Sequence, residues 1–143
     1  MAWFQGTAGH DSIVGTGDGD VFAGSLGNDT LNGGGVGVFA GGINKAQDLV
    51  DYDALPVAVL VDLRAGRTAK ANGDADVLVG FDQAWGGAGA DTLTGNDDRN
   101  WFSGRAGNDS IDGGGPSPSD TGDRVLYELD PAERLRLCIA DIN

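Results

Sequence analysis

Several residue types that proteins of this length commonly rely on are scarce here. Among 143 residues there is one cysteine, one histidine, one methionine and four prolines, and nine Lys and Arg face twenty-two Asp and Glu. A single thiol, Cys138, permits no internal disulfide. A single histidine, His10, cannot supply the H-E-x-x-H zinc motif, and neither a G-x-S-x-G nucleophile elbow nor a P-loop is present. The net charge of −13 argues against nucleic acid and anionic membrane surfaces as partners. No apolar run is long enough to span a bilayer, and the opening MAWFQGTAGHD lacks a basic n-region followed by an apolar h-region.

Glycine, by contrast, is abundant at 26 residues, and its placement is periodic. Residues 6–32 read GTAGHDSIV, GTGDGDVFA, GSLGNDTLN, three nine-residue units in one register. Asp11, Asp20 and Asp29 take the sixth position and Ile13, Phe22 and Leu31 the eighth. The pattern returns over 86–112 as GGAGADTLT, GNDDRNWFS, GRAGNDSID, with Asp91, Asn100 and Asp109 sixth and Leu93, Phe102 and Ile111 eighth. Loop glycines can take positive φ and turn the chain sharply, and the second half of each unit reads as a short strand with one inward apolar residue. One unit buries too little to stay folded, whereas stacked units share a core. Aspartate and backbone carbonyls are hard oxygen donors suited to Ca²⁺, which takes six to eight of them in irregular geometry. One loop offers about half such a shell, so an ion is expected between two loops. The expectation is an all-β fold: a parallel coil loaded with several Ca²⁺ ions.

These units resemble the RTX (repeat-in-toxin, hemolysin-type) calcium-binding family, whose nonapeptide is GGxGxDxUx. The resemblance implies a parallel β-roll, a right-handed β-solenoid in which two nonapeptides make one coil and each ion lies between a loop and the next loop but one. It implies that Asp11 faces Asp29 across one ion and Asp91 faces Asp109 across another. It further implies carbonyl ligands from the first four loop positions. These are Gly6, Ala8, Gly9, Ser25 and Gly27 in the first block, and Gly86, Gly87, Ala88, Gly89, Arg105 and Gly107 in the second. Asp20 and Asn100 occupy the matching position on the opposite side of the coil, Asn100 with an oxygen but no charge. By the same resemblance the protein is exported by type I secretion without a cleaved leader, with calcium as its partner and a type I secretion apparatus or polysaccharide as others.

The register persists in altered form elsewhere. Asp48-Leu-Val, Asp76-Val-Leu and Asp123-Arg-Val repeat the carboxylate-x-aliphatic step, which adds Asp48, Asp76 and Asp123 to the candidate ligands. With these, the resemblance covers roughly four-fifths of the chain. Residues 33–40 are one short of a unit and have no sixth-position acid, and the loops before Asp48 and Asp123 are widened. Asp18 and Asp97 stand where the pattern prefers a small residue and read as solvated surface.

Residues 1–143 are expected to form a single domain, with clean repeats at 6–32 and 86–112, a decorated insert at 33–85 and a C-terminal cap at 124–143. Within the insert, LVDY and VAVLVDL read as strands, the second with Val57, Val59, Val61 and Leu63 on one face. RAGRTAKANGDA reads as a turn-rich connection whose Arg64, Arg67 and Lys70 form a solvated cluster offsetting neighbouring acids. Trp3 and Phe4 are expected to cap the open end of the core, and Trp85 and Trp101 to pack structurally in preference to forming a sugar platform. Around Pro131 a short helix and a strand are equal rivals.

No catalytic constellation emerges, because carboxylates engaged by calcium are not free for acid–base work. The expectation is a non-enzymatic calcium-binding module serving as the structural, secretion-associated part of an RTX protein. Two alternatives are an extracellular polysaccharide-binding or adhesin module, and the C-terminal tail of a secreted protease, lipase or polysaccharide-modifying enzyme.

Overall fold

In each nonapeptide the three residues after the sixth position become a strand, because only there does the glycine-rich unit offer side chains that can alternate across a sheet. The computed structural model describes residues 1–34, 47–98 and 100–114, together with the backbone of 124–126. In the first block the strands are β1 (Trp3–Gln5), β2 (Ser12–Val14), β3 (Val21–Ala23) and β4 (Thr30–Asn32). The insert contributes β5 (Asp48–Asp51), β6 (Val59–Asp62), β7 (Arg67–Lys70), β8 (Ala75–Val79) and β9 (Phe81–Trp85). The second block gives β10 (Thr92–Thr94), β11 (Trp101–Ser103) and β12 (Ser110–Asp112), followed by β13 (Arg124–Leu126).

The strands form two sheets, one ordered β1-β3-β5-β9-β11-β13 and the other β12-β10-β6-β7-β8-β4-β2. Successive strands alternate between the sheets in both blocks, and partners within a sheet are parallel with eighth positions aligned, as in Ile13↔Leu31, Phe4↔Phe22 and Leu93↔Ile111. The fold is all-β, with two parallel sheets consistent with a β-roll. Eighth-position residues Phe22, Leu31, Leu93, Phe102 and Ile111 are buried with Val50, Val61, Leu78 and Phe81 in one continuous core. Phe4 closes one end by stacking on Phe22 at 4.9 Å, whereas Trp3 points outward and is 62% exposed, so only one of the two expected caps acts as a cap.

The insert departs from a simple continuation of the coil. After β5 the chain passes to β6, which lies beside β10 of the second block; it then runs back through antiparallel β7 to β8, which lies beside β4. Spatial order along this sheet therefore differs from sequence order. The connection expected to be all turn contains strand β7, whose inward residues are Thr68 and Lys70. In the facing sheet β5 pairs directly with β9, with a register irregularity between Asp48 and Leu49. The altered units around Asp123 and within 35–46, Cys138, and the cap at 127–143 lie outside the described residues.

Candidate metal sites in the stacked loops

Loops stack along each side of the roll, and the sixth-position carboxylates join them. On one side the Asp11 amide donates to Asp29 Oδ1 (3.0 Å), that of Asp29 to Asp76 Oδ1 (3.0 Å), that of Val59 to Asp91 Oδ1 (2.8 Å) and that of Asp91 to Asp109 Oδ1 (2.9 Å). On the other side the Ala2 amide donates to Asp20 Oδ1 (2.5 Å) and the Asp20 amide to Asp48 Oδ1 (2.8 Å). The second oxygen turns back into its own loop. Asp11 Oδ2 accepts from the Thr7 amide (2.6 Å) and hydroxyl, Asp20 Oδ2 from the Thr16 amide (2.7 Å) and hydroxyl, and Asp91 Oδ2 from the Gly87 amide (2.7 Å). Asp11, Asp20 and Asp91 thus each hold their own turn closed as well as joining neighbouring coils.

This folding-back explains the glycine at position one. A Cβ on Gly6 would lie 2.8 Å from Asp11 Oδ2, one on Gly15 would lie 2.9 Å from Asp20 Oδ2, and those on Gly86 and Gly104 would strike Asp91 and Asp109. Position four has a different reason. Gly27 and Gly107 have φ of +93° and +128°, and each presses against a carbonyl of the equivalent loop eighteen residues earlier, Gly9 and Gly89 respectively. At Gly24 the constraint is Tyr52, whose ring fills the space a side chain would take.

The electrostatics of the two blocks differ. Burial pushes Asp109 up to about 6, with the negative charge of Asp91 adding to the effect, and burial likewise raises Asp91. Amide donors offset burial only in part, Val59 and Gly87 at Asp91 and the Asp91 amide at Asp109. Burial acts on Asp20 too, but hydrogen bonds from the Thr16 amide and hydroxyl and from Ala2 outweigh it, and Asp20 lies below the usual carboxylate value.

At one point the loop oxygens converge on a positive charge. Lys70, buried on β7, sends its Nζ to the carbonyls of Ser25 (2.6 Å) and Gly27 (2.9 Å) and to Asp76 Oδ1 (2.7 Å), with Asp29 Oδ2 at 3.8 Å. The Tyr52 hydroxyl donates to Asp76 Oδ2 at 2.7 Å and lies 2.9 Å from Thr68 Oγ1. Burial, followed by the charge of Asp76, raises the tyrosine well above its ordinary value. The expected solvated cluster is therefore split: Arg64 pairs with Asp97 at 2.6 Å on the surface, while Lys70 is interior.

The first-block positions Gly6, Ala8 and Gly9 stack against the loop containing Ser25 and Gly27, and Ser25 Oγ donates to Asp29 Oδ2 at 2.9 Å. In the second block Gly86, Gly87, Ala88 and Gly89 form the loop between the Tyr52–Ala58 connection and the loop of Arg105 and Gly107. Arg105 has φ of +64°, its guanidinium covers the Trp85 ring at 4.6 Å, and it lies 3.6 Å from Asp53. Trp101 and Trp3 share one outward row with Val21 and Leu49, which are buried, so that row is not an open platform. Asn100 turns Nδ2, not its oxygen, toward carbonyls: Asn96 O at 3.2 Å and Asp98 O at 2.5 Å. Asp18 is exposed, near the N-terminal amine at 3.9 Å, and His10 is exposed. Asp123 lies outside the described residues. Lys70, Tyr52 and Thr68 were not singled out as site residues from sequence; the only cue was a threonine and a lysine two apart in the strand-length RTAK, with Tyr52 sixteen residues before Thr68.

Among the described residues no three His, Cys, Asp or Glu side chains group to hold a metal, so any ion must take backbone carbonyls together with one or two carboxylates. The loops supply that donor set. The Lys70 ammonium shows directly that two loop carbonyls and two carboxylates can surround one cation.

Short strands and stacked glycine–aspartate loops in two largely parallel sheets are consistent with a β-roll repeat protein. A family model for the RTX calcium-binding nonapeptide repeat (four copies) matches residues 4–35 and 85–115, and these segments are RTX hemolysin-type calcium-binding repeats. The matched segments enclose both clean blocks and leave the insert between them. No curated protein matches the chain. No enzyme domain is identified, and among the described residues no helix is long and apolar enough to cross a membrane.

Proposed function

We propose that this RTX calcium-binding repeat domain is a module that folds on calcium and serves as the structural, secretion-associated part of an exported protein. The supporting observation is the stacking of the Asp91 and Asp109 loops, joined by the Asp91 amide on Asp109 Oδ1 at 2.9 Å, where burial, with the charge of Asp91 adding to it, raises Asp109 to about 6. Ions held by Asp11 with Asp29 and by Asp91 with Asp109, with the carbonyls of Gly6, Ala8, Gly9, Gly86 to Gly89, Arg105 and Gly107, would neutralise this charge and cross-link successive coils. Asp20 with Asp48 offers a comparable pair on the opposite side. The continuous pairing of strands from β1 to β13 supports a single domain. Export is supported by the company such repeats keep, since they are typical of type I secreted proteins.

Isothermal calorimetry on the full chain tests this. Several Ca²⁺ ions should bind with midpoints of about 10⁻⁴–10⁻³ M, the range of extracellular calcium modules. Mg²⁺ should bind far more weakly, because it requires a tighter octahedral shell and releases water reluctantly. Equal binding of both ions, or no calcium heat, would contradict the proposal.

A further inference from the structure

Lys70 is the one fully buried cation among the described residues, and its position in the stack is specific. The loop at Gly24–Asp29 and the loop ending at Asp76 are neighbours on one side of the roll, joined by the Asp29 amide on Asp76 Oδ1. This is the same relation that joins Asp11 to Asp29 and Asp91 to Asp109. Between the first two loops lies the Lys70 ammonium. Its three N–H groups match three oxygens: the carbonyls at loop positions two and four, Ser25 and Gly27, and Asp76 Oδ1. Asp29, 3.8 Å away, supplies a second carboxylate. We propose that Lys70 is a built-in cation standing in for a calcium ion, so that this joint of the roll closes without metal. The proposal rests on the calcium reading of the other loops and assigns this one an exception.

The topology explains how a lysine reaches that place. Every other strand of this sheet begins at the loop edge, but β7 runs antiparallel, so its last residue arrives there. Alternation along β7 turns Thr68 and Lys70 inward. A lone buried ammonium would be costly, but paired with a carboxylate and satisfied by carbonyls it is tolerated. Asp76 is fixed in turn by the Tyr52 hydroxyl on its other oxygen. Ammonium and Ca²⁺ cannot share these oxygens, since both would need contact with the same Ser25 and Gly27 carbonyls. The same two loop positions are satisfied internally once more: Asn100 Nδ2 donates to the carbonyls of Asn96 and Asp98, again positions two and four. N–H donors can therefore take the place of an ion at this carbonyl pair, and Lys70 does so with a positive charge.

Hydrogen exchange and calorimetry test the proposal on the full chain. Three amides make equivalent bonds between coils: Val77 to Asp29 O, Thr30 to Asp11 O and Ser110 to Asp91 O, each at 2.8 Å. With saturating calcium all three should be protected. In excess chelator Val77 should stay protected while Thr30 and Ser110 exchange at least tenfold faster. Lys70→Met should remove the Val77 protection in chelator, and at saturating calcium it should restore that protection with one more ion bound per chain than wild type. That rescue separates cation replacement from simple packing. Equal exchange of the three wild-type amides in chelator would overturn the proposal, and so would a calcium-folded Lys70→Met chain with unchanged stoichiometry. If Lys70→Met fails to fold at any calcium concentration, the wild-type exchange pattern decides alone. A wild type that binds no calcium yet protects Val77 selectively would overturn the calcium reading and leave Lys70 as a metal-free joint.

Discussion

Asp109 shows how a single residue couples this fold to its solution conditions. Burial and the neighbouring charge of Asp91 hold its carboxyl at about 6, well above the ordinary carboxylate range near 4. Above about pH 6 the ion-free fold carries the full cost of that buried charge. As the pH falls from there toward 4, the folded chain takes up a proton that the unfolded chain does not, so the ion-free fold gains stability on acidification. A calcium ion bound by Asp109, as proposed, would need the carboxylate and would displace that proton. The calcium midpoint of the second block should therefore rise on acidification, by about tenfold at pH 5 for a group at 6. Titrations at pH 7.5 and 5 in buffers of different ionisation heat measure both the shift and the proton released. An unchanged midpoint would show that Asp109 is not a ligand. The sixth-position acids were legible in the sequence because they recur every nine residues. Their second task was not: Asp29 accepts from the Asp11 amide, and Asp109 from the Asp91 amide, only once neighbouring coils are in register.

At the scale of elements, the clean units were readable because one short strand follows each acid, and β2, β3, β4, β10, β11 and β12 fall on positions seven to nine. The insert resisted for a physical reason. Strand β7 reads RTAK, with a threonine and a lysine facing inward, so no apolar alternation marks it. Its inward polar groups are satisfied only by Tyr52, Asp76 and loop carbonyls brought from elsewhere. The reversal of order, with β6 beside β10 and β8 beside β4, leaves no trace in local composition. Loop elements make a sharper prediction. Gly73 and Gly107 both have positive φ, but a Cβ on Gly73 would meet open space while one on Gly107 would collide with the Gly89 carbonyl. Gly73→Ala should cost about 1–2 kcal/mol from backbone strain alone and leave calcium stoichiometry intact. Gly107→Ala should cost more and raise the calcium midpoint, because it pushes two stacked loops apart. Thermal unfolding and calcium titration of the two variants check this; equal effects would mean that the loops do not stack as closely as described.

For the whole molecule, the opposing quantities are a net charge of −13 and a core built from one inward residue per short strand. Twenty-six glycines enlarge the entropy that folding must overcome, and the stacked carboxylates repel one another. In a quasi-one-dimensional stack each coil is stabilised mainly by its neighbours, so a cross-link between adjacent loops has effects beyond its own contacts. We propose that calcium supplies that cross-link in the two repeat blocks and that Lys70 supplies a metal-free one between them. The measurement that bears most directly on this account is far-UV circular dichroism of the full chain, titrated with calcium from excess chelator. A cooperative gain of β signal, with only a minor β contribution before calcium is added, is the predicted result. A complete β spectrum in chelator that calcium leaves unchanged would contradict it.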